Sequence, residues 1–257
     1  MLIVISPAKS LNMEPQSVVN DFTNHDFMTE SKRLVRKLKK LKTPYLEAMM
    51  SISPKLAQLN KDRFQLWHPE FNLENAKQSL LAFDGDVYTG MNPTSFSDDD
   101  ISFAQQHLRI LSGLYGLLRP LDLIQAYRLE MGIKFTTDKW KDLYDFWGDA
   151  ITKAVNKALK EQGDDVLINL ASNEYFKSIN KKKLKARIVT PVFKDEKNGE
   201  FKMISFFAKK ARGMMSAFII KNQISNSEEL KLFDADGYYY NENLSSGDQF
   251  VFTRAEL

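Results

Sequence analysis

Short apolar runs and amphipathic stretches alternate along the chain, and the apolar runs predict buried strands. Two of these runs, 2–5 and 166–170, are rich in branched side chains and end at loop residues. A third stretch, 109–118, contains Gly113 and Gly116 and predicts strands where two backbone segments approach closely. Further strands are predicted at 127–131, 188–193, 201–207, 233–240 and 249–253.

Apolar residues spaced three and four positions apart predict helices between the strands. Residues 31–42 place Leu34, Val35, Leu38 and Leu41 on one face, and basic residues cover the rest of this helix. Other helices are predicted at 73–82, 97–107, 140–160 and 208–222.

A helix–turn–helix element follows the basic helix directly. Thr43 and Ser53, each followed by proline, predict the N-caps of two helices, and residues 51–53 form the turn between them. The second helix is predicted to run to about Trp67. Its predicted buried side consists of Leu56, Leu59, Phe64 and Trp67.

The order of these elements predicts the fold class. The strands and helices follow no regular βαβ rhythm, and the sequence contains no internal repeat and no low-complexity linker. These observations predict an α+β protein. We expect one compact domain over residues 1–257, with a mixed sheet, surrounding helices and a helix-hairpin-helix-like element.

Composition narrows the class of protein further. The 257 residues carry 36 Lys and Arg against 33 Asp and Glu, a net charge of +3, and 43% are apolar, as in ordinary soluble domains. Cysteine is absent, which excludes disulfides, a thiol nucleophile and cysteine-based metal sites and fits a reducing cytoplasm. No apolar run has the length of a membrane span and the N-terminus lacks signal-peptide features, so we expect a cytoplasmic protein without a membrane partner.

Residue types that usually hold metals or carry out catalysis are sparse. The histidines, His25, His68 and His107, lie far apart in the sequence and are expected to be solvated or to cap helices. Asp84 and Asp86 are interpreted as turn residues. No Gly-x-Ser-x-Gly, Gly-x-Gly-x-x-Gly or Walker motif is present. We therefore predict no metal site and no cofactor, and the absence of a catalytic motif favours a protein that is not an enzyme.

Positive charge is concentrated on the first predicted helix. Seven of the eleven residues from Lys32 to Lys42 are Lys or Arg, and none is acidic. One interpretation is the solvated face of an amphipathic helix, and the other is a surface for nucleic acid or another polyanion. The candidate nucleic-acid contacts on this helix are Lys32, Arg36 and Lys40.

The helix–turn–helix element over 43–67 is similar to a helix-hairpin-helix, in which the hairpin presents backbone N–H groups to one DNA phosphate. The turn 51–53 contains no glycine, so a plain helical corner is the alternative interpretation. The candidate contacts in this element are Ser53, Lys55, Lys61 and Arg63.

A third set of basic residues lies at predicted strand ends and helix starts, where binding sites usually form. If these loops converge, they form a positively charged cleft that suits phosphate; otherwise the residues are unrelated surface charges. Glu130 and Tyr115 are candidate acid–base groups for an enzyme at such a cleft. The predicted cleft residues are Lys9, Arg119, Arg128, Lys209, Lys210 and Arg212.

Seven segments distributed along the chain carry a family resemblance. They are ISPAK (5–9), LAFDGDVYTG (81–90), LSGLYGLLRPLD (111–122), YRLEMG (127–132), FWGD (146–149), INLAS (168–172) and FAKKARG (207–213). With these segments the chain closely resembles the bacterial YaaA proteins, the peroxide-stress-resistance family, over essentially its whole length.

The resemblance implies a cytoplasmic protein that helps limit free intracellular iron during peroxide stress, because iron and peroxide together yield hydroxyl radical. It also implies a single α+β fold with a positive cleft and a helix-hairpin-helix element associated with DNA binding. The residues themselves add a constraint. With no cysteine and three separated histidines, tight transition-metal binding is not expected, so any effect on iron is expected to be indirect.

Three functional hypotheses follow. The first is a peroxide-stress protein that binds double-stranded DNA, or another polyanion, with low sequence specificity. The alternative is an enzyme that acts on a nucleotide or phosphorylated metabolite in the cleft. A third hypothesis is an interaction protein whose basic helix docks an acidic partner. The sequence indicates no oligomeric state.

Overall fold

The centre of the molecule is a sheet whose middle strands are buried on both faces. The computed structural model describes residues 1–15 and 19–256, so residues 16–18 and 257 of the predicted domain lie outside the described part. The strands are β1 (Leu2–Ile5), β2 (Ser10–Leu11), β3 (Lys77–Gln78), β4 (Phe83–Asp84), β5 (Leu108–Ser112), β6 (Gly116–Leu118), β7 (Leu123–Ile124), β8 (Val166–Leu170), β9 (Arg187–Lys197), β10 (Glu200–Lys202), β11 (Tyr239–Tyr240) and β12 (Gln249–Arg254).

Helices cover the sheet and fill the connections. They are α1 (Met28–Leu38), α2 (Thr43–Met50), α3 (Pro54–Leu66), α4 (Ser79–Ala82), α5 (Asp86–Met91), α6 (Asp98–His107), α7 (Leu143–Trp147), α8 (Ala150–Gln162), α9 (Asn173–Phe176) and α10 (Ser205–Lys221). Among the residues that the structure describes, no helix combines the length and the apolar character needed to cross a membrane.

Strand β1 lies in the middle of the sheet and pairs in parallel on both sides. Ile3 lies opposite Leu108 of β5 on one side and Ile168 of β8 on the other. The order is β11-β12-β9-β8-β1-β5-β6, with β10 paired to β9. β8, β9 and β12 continue the parallel pairing, while β6, β10 and β11 are antiparallel. The predicted α+β domain with a mixed sheet and surrounding helices is confirmed.

Helices α5 and α10 cross at two glycines. A Cβ atom on Gly213 of α10 would lie 1.8 Å from the carbonyl oxygen of Val87 on α5. A Cβ atom on Gly90 of α5 would lie 2.1 Å from the carbonyl oxygen of Lys210 on α10. The two backbones therefore touch, and this contact fixes the position of α10 beside the ends of the sheet.

The predicted buried side of α3 is wrong in part. Phe64 and Trp67 are buried, but Leu56 and Leu59 are 38% and 42% exposed. Phe64 shares its helical face with Ala57, which is fully buried, so the inward face is rotated by about one position from the predicted one. The spacing of apolar residues along the sequence does not by itself determine which of two adjacent faces of α3 packs against the core.

Other predicted strand and helix boundaries differ from the observed ones, because residues distant in the sequence determine where these elements pair and end. The predicted strand 127–131 pairs with no strand, and only 239–240 of the predicted strand 233–240 is in a ladder. The predicted strand 201–207 ends at Lys202, and α10 begins at Ser205. The predicted helix 73–82 is helical only from Ser79, and the predicted helix 140–160 is divided at Gly148, whose φ is +48°.

His25 is buried instead of being solvated or capping a helix as predicted. Its ring is 4% exposed and lies 4.8 Å from the ring of Tyr115 and 5.6 Å from that of Phe71. Neither ring nitrogen has a hydrogen-bond partner among the described residues. Burial lowers the pKa of His25 from 6.5 to about 4, so the ring is neutral in the folded protein at neutral pH.

Mild acid is expected to destabilise the protein through His25. The unfolded chain binds a proton below pH 6.5, whereas the folded protein does so only near pH 4, so stability falls as the pH decreases through this window. The expected loss between pH 7 and pH 5 is about 2 kcal/mol. Urea unfolding at both pH values measures it, and His25→Phe removes this share of the loss. Equal pH dependence in the two proteins would contradict the assignment.

Candidate functional site

A cleft opens at the carboxyl ends of β1 and β8. These strands are parallel neighbours. The other neighbour of β1 in the sheet is β5 and the other neighbour of β8 is β9, so the connections that follow β1 and β8 lead to opposite sides of this pair. Such a gap between strand ends is where open sheets with parallel strands usually bind ligands. The cavity here measures about 580 Å³, which is in the range of small-molecule sites.

Two serines form the floor of this cleft. Ser6 follows β1 and Ser172 follows β8, and the Ser172 N–H donates to the Ser6 Oγ at 2.9 Å. The Ser172 Oγ caps α9 by accepting from the N–H of Tyr175. The hydroxyl of buried Tyr88 donates to the Ser6 carbonyl at 3.2 Å, and burial raises the pKa of Tyr88, so it remains a neutral donor. The Ser6 hydroxyl donates to the Ser172 Oγ at 3.3 Å, so only the Ser172 hydroxyl keeps its proton for a group in the cavity.

One wall of the cleft is a single face of α10. Its lining residues are Ser205, Ala208, Lys209 and Arg212. The helix begins after Ile204 without a side-chain cap and without an acidic residue in its first turn. Lys209 Nζ lies 3.6 Å from Asp86 Oδ2. Burial lowers the pKa of Arg212, whose guanidinium pairs with no carboxylate within residues 1–15 and 19–256.

Glu130 also lines the cleft, with its two carboxylate oxygens in different situations. The Oε1 atom accepts from Arg128 Nε at 3.1 Å and lies 3.0 Å from Arg128 Nη2, with Lys9 Nζ at 3.6 Å. The Oε2 atom is buried and has no hydrogen-bond partner in the described part of the chain. Buried acceptors are nearly always hydrogen-bonded, so an unpaired carboxylate oxygen is an unusual feature of this cleft.

A second cavity of about 780 Å³ extends the cleft toward the turn after α2. Lys9, Glu130 and Glu174 line both cavities. Glu174 Oε1 accepts from the Gly132 N–H at 2.8 Å, which fixes the loop beside Glu130. Ser51, the first residue of the turn into α3, lines the far end. The cleft therefore reaches from the sheet ends to the helix–turn–helix element.

The structure brings together four of the six predicted cleft residues. Lys9, Lys209 and Arg212 line the cavity, and Arg128 adjoins it through Glu130. Four carboxylates line the same cavity, however, so its charge is mixed. These are Asp84, Asp86, Glu130 and Glu174.

The other two predicted cleft residues lie elsewhere. Arg119 Nη2 lies 3.0 Å from Asp122 Oδ1 and 3.5 Å from Asp26 Oδ1, so it joins the turn after β6 to the segment before α1. Lys210 Nζ lies 3.6 Å from Asp236 Oδ2, on another face of α10. Both residues are paired within the protein and take no part in lining the cavity.

Several cleft residues are not identified as site residues by the sequence. Ser6 and Ser172 stand directly after buried strands, and this position is the available signal. Asp84 and Asp86 are interpreted there as turn residues, although Asp86 opens α5 and both face the cavity. Tyr115, a predicted acid–base group, is fully buried outside the cavity, with its hydroxyl 3.1 Å from Trp67 Nε1.

The helix–turn–helix element has the predicted two helices and tight turn, but Thr43 is the first residue of α2 and not its predicted N-cap, which is Lys42 without a side-chain hydrogen bond. The Ser53 Oγ caps α3 by accepting from the Leu56 N–H at 3.3 Å, and Ser51 ends α2 with a φ of +51°. Lys55 is exposed beside the cap. Since the Leu56 N–H is used by Ser53, the N–H of Lys55 is the first helical donor left for a phosphate.

Lys61 and Arg63 are less accessible than Lys55. Lys61 Nζ donates to the carbonyl oxygens of Lys39 at 2.6 Å and Leu41 at 2.7 Å, so it caps the end of α1. Burial lowers the pKa of Arg63, which is only partly exposed. Lys61 therefore joins α3 to α1 in this structure.

The basic side of α1 forms a separate positive surface. A cavity of about 300 Å³ is bordered there by five basic residues and one carboxylate, Asp138. Lys37 Nζ pairs with Asp138 at 2.8 Å, and Arg33 stacks 5.2 Å from the Phe146 ring. We name this the α1 basic surface; its basic residues are Arg33, Arg36, Lys37, Lys40 and Lys139, with Lys32 exposed on the same helix.

The fold and the sites together define a class of protein. It is an α+β protein with a mixed-charge cleft at the ends of parallel strands and a separate basic helix. In the described parts of the chain, no three His, Asp or Glu side chains are grouped as a metal site requires. The family described as peroxide stress protein YaaA matches residues 1–244. The chain belongs to this family, which confirms the predicted resemblance.

Proposed function

We propose that this protein acts in peroxide-stress resistance in the cytoplasm by binding duplex DNA with low sequence specificity. The observation that supports DNA binding is the α1 basic surface. Its five cations border one cavity with a single carboxylate, so most of their charge is available to phosphates. Contacts of this kind are made to the DNA backbone and carry little sequence information.

The helix–turn–helix element supports the same proposal. The N-terminus of α3 presents the Lys55 N–H and the exposed Lys55 side chain beside the Ser53 cap. A helix N-terminus attracts phosphate through its free N–H groups and its dipole. Lys61 bonds carbonyl groups at the end of α1, so its contribution is to hold α1 and α3 together and thereby to position both basic elements.

A role in limiting free iron is proposed as an indirect one. Iron that binds tightly to proteins is usually held by grouped Cys, His or carboxylate side chains. The sequence has no cysteine, and the described residues contain no group of three His, Asp or Glu that could hold a metal. Protection of DNA against iron-dependent damage requires no such site.

Removal of three exposed cations from α1 and the turn after it is expected to weaken DNA binding at least tenfold at low salt. The variant is Lys32→Gln, Arg36→Gln, Lys40→Gln, and the measurement is a titration of a short duplex at 50 and 200 mM salt. The slope of log affinity against log salt should fall by about 0.9 for each phosphate that the variant no longer neutralises.

The matched control removes three lysines from α8: Lys153→Gln, Lys157→Gln, Lys160→Gln. It changes the net charge by the same amount, so it separates contacts on α1 from an effect of overall charge. The control should bind DNA nearly as well as the parent protein. Equal loss in both variants, or no binding by the parent at 50 mM salt, would refute the proposal.

A further inference from the structure

The cleft at the ends of β1 and β8 has features that suit a small molecule and do not suit a polyanion. Four carboxylates line it beside three cations, so a long phosphate chain would meet repulsion. Its volume of about 580 Å³ holds a small ligand. The cleft therefore requires an explanation apart from DNA binding.

The wall of the cleft that α10 forms has features that suit an anion. The α10 helix spans 17 residues, begins without a side-chain cap, and directs Ser205 into the cavity. Its first N–H groups are free for an acceptor, and Arg212 on the same face has no carboxylate partner in the described chain. A guanidinium and helix N–H groups together match the oxygens of a phosphate group.

The second feature of the cleft is the carboxylate of Glu130, one oxygen of which accepts no hydrogen bond. Glu130 is 9% exposed, and its Oε2 atom has no partner among the residues that the structure describes. Arg128 and Lys9 both approach Oε1, and Oε2 lies below the accessible surface without a partner in the described chain. Because Glu130 lines the cavity, a small turn of its carboxylate would bring Oε2 to the cavity wall. A ligand hydroxyl or amino group that donates to Oε2 there would remove the cost of this unpaired acceptor.

We propose that this cleft binds a small organic phosphate, with the phosphate at the start of α10 and Arg212, and with a hydroxyl or amino group donating to Glu130 Oε2. The Ser6 and Ser172 side chains line the same cavity and add polar groups to it. Sugar phosphates and nucleoside monophosphates share this chemistry. The proposal is independent of DNA binding.

Calorimetric titration of the full chain tests this assignment with four probes: inorganic phosphate, ribose 5-phosphate, AMP and adenosine. Ribose 5-phosphate or AMP should bind at least tenfold more tightly than inorganic phosphate, and adenosine should bind at least tenfold more weakly than AMP. A preference for AMP identifies a nucleotide ligand, and equal affinity identifies a sugar phosphate. No binding of either ester at millimolar concentration would overturn the proposal.

Two variants separate the two ends of the site. Arg212→Gln should weaken inorganic phosphate and both esters at least tenfold. Glu130→Gln should weaken only the esters, about tenfold, because inorganic phosphate at α10 does not use Oε2. Lys210→Gln is the matched control on another face of α10 and should change nothing. Equal loss of inorganic phosphate and esters in Glu130→Gln would refute the role of Oε2.

The control for folding is the thermal unfolding curve of each variant. The DNA-binding variant Lys32→Gln, Arg36→Gln, Lys40→Gln should bind the esters as well as the parent protein does. Loss of ester binding in that variant would contradict a separate site. Failure of the parent to bind DNA would leave the ester measurements unaffected, so the two proposals are tested separately.

Discussion

Gly213→Ala is expected to lower the free energy of unfolding by about 3 kcal/mol or more, at or above the upper end of the usual cost of overpacking a core. The added Cβ would lie 1.8 Å from the carbonyl oxygen of Val87 and 2.7 Å from the backbone nitrogen of Met91. Both obstacles are backbone atoms of α5, so no side-chain rotation relieves the clash. The helices must separate, and the van der Waals attraction along their buried crossing weakens.

The sign of this effect distinguishes packing from helix propensity. Alanine is preferred to glycine inside an exposed helix by about 1 kcal/mol, so propensity alone predicts that Gly213→Ala stabilises α10. Urea unfolding of the parent and the variant decides between the two. An increase in stability would show that the helices do not meet at Gly213.

Gly90→Ala provides the internal control, because it places a methyl group 2.1 Å from the Lys210 carbonyl at the same crossing. One separation of α5 and α10 relieves both clashes. The double variant should therefore lose clearly less stability than the sum of the single losses. Additive losses would indicate two independent sites. Where the variants still fold, a displaced α10 should also weaken phosphate binding in the cleft.

Elements specified by their own residues are predicted well from the sequence. The runs 2–5 and 166–170 are strands because branched apolar residues fill both faces, and no partner is needed to recognise them. The predicted cap at Ser53 forms through a local hydrogen bond, and the helix predicted from residue 97 begins with a capping box between Ser97 and Asp100. Such signals depend on residues only three or four positions apart, so they can be recognised without knowledge of the rest of the fold.

Elements that depend on distant partners are predicted poorly. Tyr127, Leu129 and Met131 alternate as in a strand and are all buried, yet the segment pairs with no strand. The carbonyl of Leu129 instead lies against Gly113, where a Cβ would be only 2.2 Å away. The alternation thus indicates burial correctly but cannot indicate whether a neighbouring strand is present.

The residues of the cleft are likewise predicted only in part. Lys9, Lys209 and Arg212 are predicted because they follow a strand end or begin a helix, and those positions converge in this fold. Glu130 is predicted at the same cleft, but Asp84 and Asp86 are not, because the position of α5 against α10 depends on the glycine crossing. Mixed charge in the cleft is therefore a tertiary property that counting basic residues does not show.

Arg254→Met is expected to destabilise the protein by about 3–5 kcal/mol, because it leaves a buried carboxylate without its cation. Arg254 Nε donates to Asp195 Oδ1 at 2.7 Å, and both side chains are 6% exposed. The guanidinium also donates to Asp236 Oδ2 at 2.8 Å and stacks 4.5 Å from the Phe207 ring. This network ties the end of β12 to β9 and to the start of α10.

A matched surface pair shows what burial contributes. Lys210 approaches the same Asp236 at 3.6 Å, but its side chain is 39% exposed, so Lys210→Gln should cost less than about 1 kcal/mol.

Urea unfolding measures both variants, together with the double variant Arg254→Met, Asp195→Leu. The double variant should regain much of the loss, because the cost of the single change comes from an unpaired buried charge. Tyr238 still loses its acceptor in the double variant, since its hydroxyl donates to Asp195 at 2.9 Å, so recovery should stay incomplete. A double variant less stable than Arg254→Met would show that the ion pair itself stabilises the fold beyond the cost of desolvating its charges.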